Sequence, residues 1–157
     1  MEHWKICNLA DRPAYVEEVS RWFWEEWDRR DGMTLEEVTY RTRHALGRDQ
    51  VPQMLVAERD GQPVGAVSLW RSDLGTRQDL TPWLATLYVR ADCRGQHLGQ
   101  ALQQACIQAA RALGQYDFLY LKTEHENYYE RTGWEFVEQV PTGTGETVRV
   151  YRYDLRR

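Results

Sequence analysis

The chain has 157 residues, 42% of them hydrophobic, with 20 Lys and Arg against 24 Asp and Glu. That length supports one sizeable core rather than two. The formal charge of -4 argues against a nucleic-acid polyanion as the main partner, because phosphate binding draws on an excess of Lys and Arg, and it weakly favours a cationic ligand.

Cys7, Cys93 and Cys106 form no Cys-x-x-Cys pair, and the four histidines show no ligand spacing, so neither a disulfide framework nor a metal site is expected. The sequence has no basic segment followed by an apolar run and no stretch of about 18 apolar residues, so a cytoplasmic setting without membrane contact is expected.

Lys5 to Leu9 reads as a short opening strand, and Asp11-Arg12-Pro13 as a cap followed by a helix start. Within that helix Val16, Val19, Phe23 and Trp27 form one apolar stripe suited to packing on a sheet. Thr34-Leu35-Glu36-Glu37 has the form of a capping box, opening a second helix expected to reach Leu46 and stop at Gly47. Next, 54–58 and 64–69 are β-prone runs flanking Asp60-Gly61, a pair that supplies the positive φ angles of a tight hairpin. Arg71 to Asp79 is polar and turn-rich and reads as a loop.

The run 83–89 is apolar nearly throughout, as in a central strand covered on both faces. From Leu98 to Leu113 the apolar positions keep helical spacing, with Gly114 closing the helix. Strands follow at 118–121, at 134–137 after a short helix over 128–132, and at 148–153, where the alternation marks a half-exposed strand. With no repeat and no linker, the chain reads as one domain over 1–157. Residues 1–50 contribute a strand and two helices, and 51–157 contribute most of the sheet. The fold class is α+β in three layers (α/β/α): a mixed, mostly antiparallel central sheet of six or seven strands with helices on both faces.

Strand 83–89 enters the following helix through Cys93-Arg94-Gly95-Gln96-His97-Leu98-Gly99. The first amides of a helix lack intrahelical acceptors and carry the positive end of its dipole, so this turn suits a pyrophosphate. Gly95 and Gly99 would let backbone approach the anion, and Arg94 could add a charge-assisted contact. The same two glycines could also serve turn geometry and helix packing alone. No Gly-Lys-Ser/Thr is present for a nucleoside triphosphate, and no acidic residue is placed for a dinucleotide ribose.

Leu87-Tyr88-Val89, then Arg94-Gly95-Gln96-His97-Leu98-Gly99-Gln100-Ala101-Leu102, then Tyr129-Glu130-Arg131-Thr132-Gly133-Trp134 together resemble the GCN5-related N-acetyltransferase (GNAT) superfamily from about residue 54 to 137. The family loop is Arg/Gln-x-x-Gly-x-Gly/Ala, matched here at Arg94 and Gly99, while His97 stands where the middle glycine is usual. The resemblance implies splayed fourth and fifth strands and acetyl-CoA as acyl donor. Leu87, Tyr88 and Val89 would take the pantetheine arm as an added strand, and Arg94, Gly95, Gln96, His97, Leu98, Gly99 and Gln100 would hold the pyrophosphate. Asn127 stands nearest the family's cofactor-touching asparagine.

The resemblance also implies direct transfer of acetyl to a primary amine, with Tyr129 as the acid that protonates the departing thiolate. Relatives carry a basic glutamate near the start of the fourth strand, where this sequence has Trp83. The base is then a water or one of Asp79, just before that strand, and Glu25 or Glu26, at the end of the first helix, and Trp24, Glu25 and Trp83 are expected at the acceptor site. A small-molecule or peptide amine is the expected acceptor. A homodimer is compatible with the alternating last strand. The competing reading is a noncatalytic acyl-CoA-binding module that keeps the loop and has lost the chemistry.

Overall fold

A computed structural model describes residues 3–157. Its sheet has seven strands: β1 (Lys5–Asn8), β2 (Gln53–Arg59), β3 (Gln62–Trp70), β4 (Trp83–Val89), β5 (Phe118–Thr123), β6 (Glu135–Pro141) and β7 (Thr147–Asp154). Three helices, α1 (Val16–Phe23), α2 (Leu35–Arg43) and α3 (Leu98–Ala112), cover it. The spatial order is β1-β2-β3-β4-β5-β7-β6, antiparallel everywhere except at β4–β5. The expected mixed, mostly antiparallel sheet with helices on both faces is therefore present.

Strand alternation divides the core. On one face Leu55, Ala57, Val67 and Leu69 pack against Leu98, Leu102, Cys106 and Ile107 of α3. On the other, Met54, Val56 and Ala66 meet Val16, Val19 and Phe23 of α1 and Val38 of α2. The β2–β3 turn takes the expected form, with positive φ at both Asp60 (54°) and Gly61 (75°). Thr34 and Glu37 form the capping box reciprocally, and Gly114 follows α3 with φ 69°.

Several local expectations are corrected. Asp11 does not cap a helix: Asn8 caps a short 3-10 turn through Ala10 N at 2.8 Å, and α1 begins only at Val16. Helix α2 ends at Arg43, and Gly47 serves close approach instead, since a Cβ there would lie 2.4 Å from Pro52 O. The last strand, β7, lies between β5 and β6 rather than at the sheet edge.

Strand β4 departs most from expectation. Its first three residues are buried, but from Thr86 to Val89 it is only half-buried. Between the pairs Ala66↔Tyr88 and Ser68↔Ala85 it carries one residue more than β3 does, which is a β-bulge. Thr86 sits in the bulge with φ 48°, a costly conformation for a β-branched residue, and its hydroxyl is 2.6 Å from that of Ser68. Beyond the bulge β4 leaves β5. The two strands share one register pair, Trp83↔Tyr120, plus the bond from Tyr120 N to Pro82 O at 3.0 Å. That half of β4, paired with β3 alone, faces a cleft.

Candidate active site

Two cavities lie along the splayed half of β4. The smaller, about 310 Å³, is bounded by Val89, Gly95, His97, Gly99, Gln100 and Tyr128, at the entry to α3. The larger, about 380 Å³, is bounded on its sheet side by Thr86, Leu87 and Leu121, with Trp27, Trp70 and Tyr129 among its other walls. Consecutive residues Tyr128 and Tyr129 thus border different cavities, as do Val89 and Leu87. The two spaces therefore adjoin along one strand edge.

The loop before α3 keeps a glycine-like path despite His97. That residue has φ 64° and ψ 12°, the left-handed conformation, and Gly95 has φ 78°. Histidine is among the non-glycine residues enriched there. The His97 carbonyl accepts from Ala101 N at 3.1 Å, so the amides of Leu98, Gly99 and Gln100 precede the first intrahelical bond and remain available to an anion. The His97 side chain caps nothing. A Cβ at Gly95 would meet no atom within 4 Å, and one at Gly99 only Val89 Cγ2 at 4.0 Å. Turn geometry accounts for Gly95, but packing inside the protein does not account for Gly99.

Arg94 folds back toward the strand, its Nε donating to Val89 O at 2.9 Å and its guanidinium 5.6 Å from the centre of the Tyr88 ring. Tyr88 stacks at 5.1 Å on Trp22 of α1. Gln96 accepts from Arg59 at 3.1 Å, which keeps a second cation near the loop. Asn127 is exposed with φ 61° and borders neither cavity.

Tyr129 opens a short 3-10 turn over 129–132 and is packed edge-on against Tyr128 (4.9 Å) and Trp134 (6.1 Å). Burial, and secondarily the neighbouring Tyr128, raise its pKa above the ordinary phenol value. A phenol so placed stays protonated throughout the neutral range.

Three expected acceptor residues fall elsewhere. Trp83 is 0% exposed, donates its indole N–H to Leu80 O at 2.6 Å and belongs to a core with Leu74, Val140 and Val150, so it offers no surface to a substrate. Trp24 donates to Met33 O at 2.9 Å under Arg29, and Glu25 is exposed; neither borders the cavity. The cause is a change of winding. Residues 24–28 form a π turn, with Arg29 N bonded to Trp24 O, and it is Trp27 and Asp28 that border the cavity, Trp27 while still packing on Phe23 at 6.1 Å as its place in the stripe predicts.

Asp79 is also outside the cavity lining. It is exposed, gripped by Arg77 through two bonds of 3.0 Å, and that contact lowers its pKa. A carboxylate held in this way is a poor base. Asp73, six residues earlier in the same polar loop, borders the cavity with its side chain only 20% exposed. Its pKa is raised from 3.8 to about 6 by burial, against the opposing fields of Lys122 and Arg41. Nothing in the local pattern Arg71-Ser72-Asp73-Leu74 distinguished it in the sequence; the signal is tertiary, since buried Leu74 draws the loop against the sheet.

The raised value fixes a sign. The folded state holds the Asp73 proton more tightly than the unfolded chain, so this group's contribution to stability falls as pH rises from about 3.8 to about 6 and is constant above. Asp73→Asn should therefore raise Tm at pH 7.5. A net gain of about 1 kcal/mol corresponds to about 2–4 °C for a chain of this size. Calorimetry at pH 7.5 and below 4 checks it, because the difference should close at the lower pH.

Among the described residues no helix is long and apolar enough to cross a membrane, and no cluster of His, Cys, Asp and Glu could hold a metal. No curated protein sequence matches the chain. Solved structures do match. An aminoglycoside 6'-acetyltransferase type Ii superposes with TM-score 0.73 at 16% identity, covering 96% of this chain and 97% of the other. An aminoglycoside 6'-N-acetyltransferase complexed with coenzyme A gives 0.74 at 13%, with the same coverage. The yncA protein of Salmonella typhimurium, solved with its cofactor acetyl-CoA, gives 0.68 at 20%, covering 98% and 95%. At these identities the structures establish the shared fold. The sequence itself matches the model of the acetyltransferase (GNAT) family over residues 16–134, and the chain belongs to that family.

Proposed function

We propose that this protein transfers acetyl from acetyl-CoA to a primary amine of a small molecule, by direct attack within a ternary complex. The observation that carries this is the adjacency of the two cavities along the half of β4 that β5 leaves, one floored by an anion-accepting helix entry and the other holding a half-buried, protonated tyrosine. The loop residues fit the donor: three free amides, two left-handed residues and Arg94 suit a pyrophosphate, and the edge of β4 from Leu87 to Val89 that β5 leaves suits an extended amide-bearing arm. Bound there, the donor supplies an activated thioester. Tyr129 then acts as general acid toward the sulfur leaving group.

The acceptor side is walled by Trp27 and Trp70 and carries Asp28, Asp31 and Asp73, which is the chemistry of an amine site rather than an acid site. The test is release of coenzyme A thiol across a panel of amines, with polyamines, aminoglycosides and peptide N-termini included. The proposal expects acceptor-dependent release with at least one small amine. Acetyl-CoA binding with no acceptor-dependent release would make the protein a noncatalytic acyl-CoA-binding module instead.

A further inference from the structure

We propose that Asp73 receives the ammonium group of the acceptor and takes the proton that must leave before the amine can attack; this rests on the acetyl-transfer reading above. Its carboxylate forms no hydrogen bond among the described residues, and its ion-pair contact is Lys122 Nζ at a loose 3.9 Å. The carboxylate is mostly buried yet borders the cavity, so a donor that enters the cavity can reach it. An ammonium brings three N–H donors and a positive charge.

The neighbouring acids do not compete equally. Asp28 is held by Arg41 at 2.7 Å, and Arg41 is itself stacked 4.7 Å from the centre of the Trp70 ring, so that pair forms a neutral, aromatic-backed wall. Asp31 borders the cavity from the turn after α1. The charged and titratable groups facing Asp73 are thus Asp28 and Asp31 from that turn, Arg41 from α2, Lys122 from β5, and His125 and Tyr129 from the segment that follows β5. Burial sets the direction of the Asp73 shift, toward the neutral range in which a general base works best.

The protons balance. The ammonium gives one proton to Asp73, and the free amine forms the C–N bond at the thioester carbonyl. As the C–S bond breaks, the sulfur takes the Tyr129 proton. The nitrogen, now an amide, gives its surplus proton back to the tyrosinate, and Asp73 returns its proton to solvent. One proton is released per acetyl transferred.

Asp73→Asn tests this in two independent ways. With saturating acetyl-CoA, kcat/KM for the amine should fall by about 10²-fold, and the acidic limb near pH 6 should disappear from its profile. His125→Gln should keep that limb, which separates the two groups. Without acetyl-CoA, quenching of tryptophan fluorescence by the amine, reported by Trp27 and Trp70, should need about tenfold more ligand in Asp73→Asn.

A variant with wild-type kcat/KM, or with the limb intact, overturns the proposal, as does equal quenching of both proteins. If the wild type binds amines through Asp73 and yet transfers no acetyl, recognition by Asp73 stands and the acetyl-transfer reading fails. A measured Tm of Asp73→Asn at or above that of the wild type excludes misfolding as the cause of lost activity.

Discussion

Tyr129→Phe is expected to lower kcat by about 10²-fold or more while leaving affinity for acetyl-CoA within about twofold. The substitution removes one oxygen and keeps the ring. Its contacts with Tyr128, Trp134 and Tyr151 are made by ring faces and edges at 4.9 to 6.1 Å, so no cavity opens and the short turn over 129–132 keeps its place on the sheet. Beneath it Tyr151, 0% exposed, donates to Glu130 at 3.0 Å and accepts from Arg149 Nε at 3.1 Å, which anchors the turn without help from the Tyr129 hydroxyl.

On the proposed mechanism, what is lost is the proton for the departing sulfur. Because burial raises the phenol's pKa, the acid form persists beyond the ordinary value of 10, and no alkaline limb from Tyr129 should appear in kcat below that pH. Steady-state kinetics with an amine found in the panel, together with calorimetric titration of acetyl-CoA, measure both effects. Turnover in Tyr129→Phe within about twofold of wild type would remove Tyr129 from the mechanism.

How far the sequence carried can be judged residue by residue. Local rules were reliable where the cause is local: Asp60-Gly61 turns as a hairpin, Thr34 and Glu37 form their capping box, and Gly114 closes α3. The strand–loop–helix at 83–112 was visible because hydropathy, glycine spacing and helical periodicity coincide there. Even the departure at His97 proves mild, since the residue takes the backbone angles a glycine would have taken.

The acceptor side was far less legible. A uniformly apolar 83–89 conceals the bulge at Thr86, because hydropathy reports burial and not register. A π turn at 24–28 changes the winding, so that Trp27, still packed on Phe23, borders the cavity while Trp24 is bonded to Met33 O. Asp73 and Asp79 share one polar loop, and only the tertiary fold shows that one is withdrawn toward the cavity while the other is clamped by Arg77 at the surface. In each case the deciding contact lies far away in sequence.

Gly99→Leu should abolish most acetyl-CoA affinity, by about tenfold or more, without lowering Tm. Gly99 is the second residue of α3, where glycine costs up to about 1 kcal/mol relative to a good helix former, so stability alone would favour replacing it. Nor does packing forbid replacement, since an added Cβ meets only Val89 Cγ2 at 4.0 Å. The space a side chain would occupy is the smaller cavity, directly above the free amides of the helix entry.

Gly65 on β3 supplies the contrast. A Cβ there would lie 3.0 Å from both Leu102 Cδ1 and Tyr88 O, so Gly65→Ala should lower Tm by pressing α3 away from the sheet. On the proposed function the two glycines separate two needs: Gly65 admits the helix, and Gly99 would admit the cofactor. Calorimetric titration of coenzyme A and a thermal melt on each variant decide between them. Unchanged coenzyme A affinity in a stably folded Gly99→Leu would mean that the pyrophosphate does not lie against the α3 entry.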